Sequence, residues 1–182
     1  MNDVASPKQL AAEGQAAYKR GDYLSAAQTF QAARQAYENA GQPLDAAEMA
    51  NNCSVAYLQA GEPESALQVV EGTDLIFAEA GDLRRQGMSI GNRAAALEAL
   101  ERLPEAVEAY TQSADLLGQA GEDQLRSNAM HALSTLQFRS GRQLEALASM
   151  QAGLDGLKKP SPRQRFLKRL LNIPFEMLNK KR

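Results

Sequence analysis

The sequence holds one cysteine, one histidine and no tryptophan, and aromatic residues make up only 5% of it. A single cysteine excludes a disulfide framework within the chain. One cysteine with one histidine leaves a Cys/His metal site short of ligands. No apolar run approaches the ~20 residues that a membrane-spanning helix needs. The N-terminus, MNDVASPKQLAAEG, has no basic start followed by an apolar stretch, so no signal peptide is expected and a soluble cytoplasmic protein is. β-branched and aromatic residues are too sparse for a sheet protein. What is abundant is alanine, 32 of 182 residues, and leucine, 23. These two have the lowest helix cost, so the composition is that of an all-α chain, and its length suits one domain.

The formal net charge of −2 conceals a division. Residues 1–157 carry 11 Lys/Arg against 21 Asp/Glu, whereas residues 158–182 carry 9 Lys/Arg against one Glu. The body is therefore at −10 and the last 25 residues at +8. No alanine follows Ala152, which also sets this tail apart.

Glycines stand at Gly21, Gly41, Gly61, Gly81, Gly121 and Gly141, on a grid of 20 with one vacancy, at Glu101. Glycine favours the left-handed conformation just past a helix end, so each reads as a helix stop. Start signals follow at once: Asp22, Asp82, or the first-turn prolines Pro43 and Pro63, with Pro104 after the vacancy. The grid predicts helices of about 18 residues joined by very short turns. The full repeat is two helices. Ala26, Ala66, Ala106 and Ala146 recur at one position, followed by Phe30, Val70, Tyr110 and Met150, then by Ala33, Thr73, Ser113 and Gly153. Small residues recurring where two helices must approach closely, with a large apolar one between, predict stacked helix hairpins forming a solenoid.

The segment Gly14–Gln15–Ala16–Ala17–Tyr18–Lys19–Arg20–Gly21–Asp22–Tyr23, with Ala26, Phe30 and Ala33, resembles the tetratricopeptide (TPR) repeat. Copies two and four resemble it through Cys53–Ser54, Tyr57, Gly61, Ala66 and Val70, and through Leu133–Ser134, Phe138, Gly141, Ala146 and Met150. Copy three departs, with Arg93 at a position usually apolar and Glu101 at the turn. A repeat of 40 rather than ~34 residues is similar to the long-helix branch of Pins-type adaptors, kinesin light chains and bacterial TPR proteins. The resemblance implies an all-α, right-handed superhelix of four hairpins: residues 7–41, 42–81, 82–121 and 122–157. Residues 1–6 are expected to fray, and 158–182 to form a helical tail.

No catalytic set is visible. His131 has no Ser, Cys or Asp partner at a motif spacing, and Cys53 falls at a core position as an inert thiol. No glycine-rich phosphate loop is present; the glycines are isolated turn stops. The expectation is a protein without enzymatic activity, cofactor or metal.

The resemblance places the first helix of each hairpin along a concave groove that holds an extended peptide or a partner helix. Its inward positions are Gln15, Tyr18 and Lys19; Asn51, Asn52, Val55 and Gln59; Gly91, Asn92, Ala95 and Glu98; and Asn128, His131, Thr135 and Arg139. Asn52 and Asn92 are equivalent, 40 residues apart. In the long-repeat branch an asparagine there binds the ligand's main chain. A primary amide donates and accepts at once, matching a peptide C=O and N–H. The Lys/Arg clamp of chaperone-binding TPR domains is not expected, because Ala11, Gln15, Asn52, Met88 and Asn92 occupy its places.

The tail reads SPRQRFLKRLLNIPFEMLNKKR from Ser161. Phe166, Leu167, Leu170 and Leu171 are expected on one helical face, flanked by Arg163, Arg165, Lys168 and Arg169. Asn172–Ile173–Pro174 is expected to interrupt or kink that helix. Three roles are open to it: a cap on the last hairpin, docking onto a partner or a second copy, or a membrane-surface anchor. Nucleic acid is not an expected partner, because an acidic body repels phosphates.

Overall fold

A computed structural model describes residues 5–179, with side chains to residue 171. Among these residues the fold is all-helical. The elements are α1 (Pro7–Lys19), α2 (Tyr23–Asn39), α3 (Pro43–Gln59), α4 (Pro63–Val70), α5 (Thr73–Glu79), α6 (Leu83–Ala99), α7 (Leu103–Gln119), α8 (Asp123–Arg139), α9 (Gln143–Asp155) and α10 (Pro162–Asn179).

Each hairpin turn is closed in the same way. The residue after the left-handed position donates its N–H five residues back: Asp22 to Ala17, Glu62 to Tyr57, Asp82 to Phe77 and Arg142 to Gln137, at 2.8–3.1 Å. This is the Schellman arrangement, which satisfies carbonyls that the helix end would leave open. The glycines on the grid supply the left-handed backbone, with φ between 68° and 80°. At the vacancy the turn persists without glycine. Glu101 adopts φ 56°, and Arg102 N–H still reaches Leu97 O at 2.9 Å. The third hairpin is therefore as regular as the others, and α6 and α7 both run 17 residues.

The small-residue columns lie where helices pack: within a hairpin at Ser113 against Gly87 and Gly153 against Met130, and between hairpins at Thr73 against Ser89. Ala26, Ala66 and Ala106 are fully buried, Ala146 nearly so, and Ala33, Thr73, Ser113 and Gly153 are buried too. Close approach is real at Gly14, where an added Cβ would meet the Phe30 ring at 2.8 Å. Among the described residues, the main contacts join the two helices of one hairpin, and then each hairpin to the next one along the chain.

Three expectations are corrected. The second helix of hairpin two is not continuous: Gly72, off the grid, takes φ 77° and divides it into α4 and α5. Thr73 begins the new segment and its hydroxyl donates to Val70 O at 2.7 Å, while Arg34 of α2 reaches Val69 O at 3.4 Å. Carbonyls freed by the break thus find side-chain donors. Secondly, Ser6 is not frayed: it caps α1, accepting from Gln9 N–H at 3.3 Å while its own N–H donates to Gln9 Oε1 at 2.7 Å. Residues 1–4 lie outside the described ones. Thirdly, α10 is not interrupted at Asn172–Ile173–Pro174 and continues to Asn179. Helix on both sides absorbs the one backbone bond that a proline removes.

Candidate functional site

The asparagines singled out from the repeat come together. Asn51 and Asn52 of α3 and Asn92 of α6 line one concavity of about 480 Å³, with Val55 and Met88 beside them. Asn92 also lines the adjoining hollow of about 320 Å³, where Asn128 of α8 meets it over Ala95, Leu125 and Ala132. Asn128 and His131 then border a third hollow of about 430 Å³, closed on its far side by Arg163, Gln164 and Leu167 of α10. A row of amides therefore crosses α3, α6 and α8 above an apolar floor. Asn52 and Asn92 are half-buried, and Asn128 and His131 are exposed.

Asn51 differs from its neighbour. It is buried, and its Oδ1 lies 3.5 Å from the Thr73 hydroxyl oxygen. Thr73 also meets the Ser89 hydroxyl. This buried polar cluster links α3, α5 and α6 beneath the groove, so Asn51 serves the wall more than the surface. Gln15, Tyr18, Lys19 and Gln59 line none of the three hollows. Tyr18 instead packs edge-on against Tyr23, with ring centroids 5.3 Å apart. Gln15, Lys19 and Gln59 are exposed on α1 and α3.

The arginines near the groove are engaged within the chain. Arg85 Nε lies 2.6 Å from Asp82, its Nη1 3.5 Å from Glu48, and its guanidinium 5.0 Å above the Phe77 ring. Asp82 also accepts Arg85 N–H as the cap of α6, and this backbone bond, then the guanidinium, hold its carboxyl below the usual range. Arg84 pairs with Glu122 at 2.9 Å, and Arg126 donates to Ala152 O at 3.0 Å. Arg139, near the groove's edge, bridges Glu98 and Glu101 at 3.1 and 2.9 Å. Arg93 lies elsewhere, in a hollow with Glu71, Glu105 and Glu108. Burial pushes the Cys53 thiol up to about 12, only partly offset by Arg34, and its Sγ donates to Ala27 O at 3.2 Å. A thiol held protonated and enclosed is no nucleophile.

The tail resolves into two faces. Leu167 and Leu171 are half-buried, Leu167 over Met150 and Leu154 of the last hairpin. Phe166 and Leu170 point away and are 69% and 51% exposed. Lys168 pairs with Asp155 at 2.8 Å and Lys158 with Asp123 at 3.2 Å, while Arg169 is exposed. The single apolar face expected from spacing is thus divided. Sequence reasoning missed Leu125 in the groove floor and the Asn51–Thr73–Ser89 cluster. The signal was Gly72 followed by Thr73–Asp74, a stop and a start lying off the grid.

Among the described residues, no helix is long and apolar enough to cross a membrane, and no group of His, Cys, Asp or Glu is arranged to hold a metal ion. No protein of curated function matches the chain. Among solved structures the chain is similar to a Podosopora anserina protein described as a kinesin light chain with nearly identical TPR-like repeats. The identity is 16% and the TM-score 0.73, over 96% of this chain and 87% of that one. It is also similar to BtubC (BKLC) from P. vanneervenii, at 15% identity and TM-score 0.70, over 91% of this chain and 71% of that one. At such identities the likeness is one of fold. A family model described as soluble NSF attachment protein, SNAP, matches residues 9–152, so the chain belongs to the SNAP family of TPR-like helical repeat proteins.

Proposed function

We propose that the concave face binds an extended peptide or a helix of another protein, and that the chain is an adaptor or scaffold with no catalysis of its own. One observation carries this reading: Asn52 and Asn92, equivalent in the repeat, share one concavity, and Asn128 extends the row into the next. A half-buried primary amide both donates and accepts, so a row of them offers a ladder to a main chain, and the apolar floor takes its side chains. The family supports protein recognition, since its description is of attachment to a protein, NSF. Families of this fold are typically non-enzymatic adaptors. In this reading residues 7–157 form the binding solenoid, and 158–182 are a separate element at its end.

The test is to select peptides from a random display library on the full chain and measure their affinity for Asn52→Ala with Asn92→Ala. Both side chains are partly open to solvent, so the melting temperature should hold. Affinity should drop about tenfold or more, the effect of removing two amides that each make hydrogen bonds. Selected peptides that bind the double variant as well as the parent would overturn the reading.

A further inference from the structure

The outward face of α10 has an order that a cap alone does not need. Phe166 and Leu170, one turn apart, form an exposed apolar ridge. On a helical projection Arg165 and Arg169 flank it on one side, while Arg163, on the other, lies at the rim of the hollow with Asn128 and His131. All three are exposed, and none makes an ion pair among the described residues, in contrast to Lys158 and Lys168. On the inward side Leu167 already covers Met150 and Leu154 of the last hairpin, and Leu171 is half-buried. An apolar ridge beside free guanidinium groups matches a surface that is apolar below and anionic above.

We propose that α10 docks the protein onto a membrane surface bearing anionic lipid, with Phe166 and Leu170 entering the interface. Charge complementarity fixes this occupant. The tail, at +8 and ending in Lys180–Lys181–Arg182, is attracted to anionic headgroups, and the body, at −10, is repelled by them. The two forces together orient the solenoid away from the bilayer with α10 beneath it. Nucleic acid offers the negative charge but no apolar phase for the ridge. An interfacial helix needs both signals at once, and α10 carries both.

The experiment is sedimentation of the full chain with vesicles of pure phosphatidylcholine, or of phosphatidylcholine with about 30% phosphatidylserine, at about 0.05 and 0.5 M salt. The anionic vesicles should bind the chain at least about thirtyfold more tightly at low salt, and salt should reduce the difference. Arg165→Gln with Arg169→Gln should weaken binding about thirtyfold, since each basic residue near such a surface contributes about fivefold. Phe166→Glu with Leu170→Glu should abolish it. Phe166→Leu with Arg165→Lys should keep it, and none of these outward changes should shift the melting temperature. Equal affinity for both vesicle types, no binding to either, or binding that survives Phe166→Glu with Leu170→Glu would overturn the proposal. So would light scattering that finds a dimer dissociated by the same pair, because a second copy would then occupy the ridge.

Discussion

Two places in the solenoid depart from the glycine grid in opposite senses. At Gly72 a glycine stands where the pattern calls for none, and the helix breaks into α4 and α5. At Glu101 the glycine is missing, and the turn forms regardless, with glutamate held at φ 56°. The comparison separates permission from demand. At Glu101 the hairpin demands the left-handed residue: α6 and α7 pack over their whole length, and Ile90, Leu97 and Tyr110 in the core between them leave no other closure. Strain of about 1–2 kcal/mol is then tolerated. At Gly72 the residue permits a break, and the break persists because Thr73 and Arg34 donate to Val70 O and Val69 O, with Ser89 meeting the Thr73 hydroxyl.

The sharpest way to break this comparison is Gly72→Val. A Cβ at Gly72 would meet nothing within 4 Å, so the cost is purely that of a β-branched residue at φ 77°. We expect a loss of about 2–3 kcal/mol in urea unfolding. A loss below about 0.5 kcal/mol would mean that α4 and α5 merge without penalty. Next comes Thr73→Val, which keeps the shape and removes the hydroxyl shared by Asn51, Ser89 and Val70. A loss of about 1.5 kcal/mol is expected, and no loss would show that the cluster does not hold the break.

Glu101→Gly should act in the other direction and raise stability by about 1 kcal/mol, because glycine relieves the left-handed strain. The exposed ion pair to Arg139 that is lost contributes little at the surface. An unchanged or lower midpoint would show that the turn carries no strain. The smallest effect at neutral pH belongs to Cys53, in the α2–α3 contact away from both places. Its ordinary value is 9.0 and its folded value about 12. The unfolded chain therefore loses this proton first as pH rises. The contribution is complete below pH 9 and is lost between there and about 12. Urea unfolding at alkaline pH should be less steeply pH-dependent in Cys53→Ala, and an identical slope would place the thiol's titration elsewhere.

Much of this was legible beforehand, for a reason that also marks where legibility stops. Helix stops, caps and small-residue columns are local codes repeated at one register, and repetition turns weak signals into a strong one. The pairing of Asn52 with Asn92 followed from that register, as did the burial of Ala26, Ala66 and Ala106. The register says nothing of a feature that occurs once. Gly72 appears in a single hairpin, so no second copy announced it. Asn51 is adjacent to Asn52 in sequence, yet a hydroxyl 22 residues away draws it inward. Four apolar tail residues at helical spacing read as one face. Only the position of the last hairpin assigns Leu167 and Leu171 to it and leaves Phe166 and Leu170 outside.

A chain whose hairpins bear chiefly on their immediate neighbours has the mechanics of a spring. Bending it requires only a small rotation at each junction, with no distant contact to break. The junctions mix alanine and serine with longer side chains, among them Phe30 and Met49 between α2 and α3 and Tyr110 and Leu133 between α7 and α8. The concave row of asparagines rides on those junctions, so the distance from one amide to the next follows the curvature. If the proposed peptide binding holds, a ligand of slightly different rise per residue is met by changing the pitch of the spring rather than by rebuilding the groove.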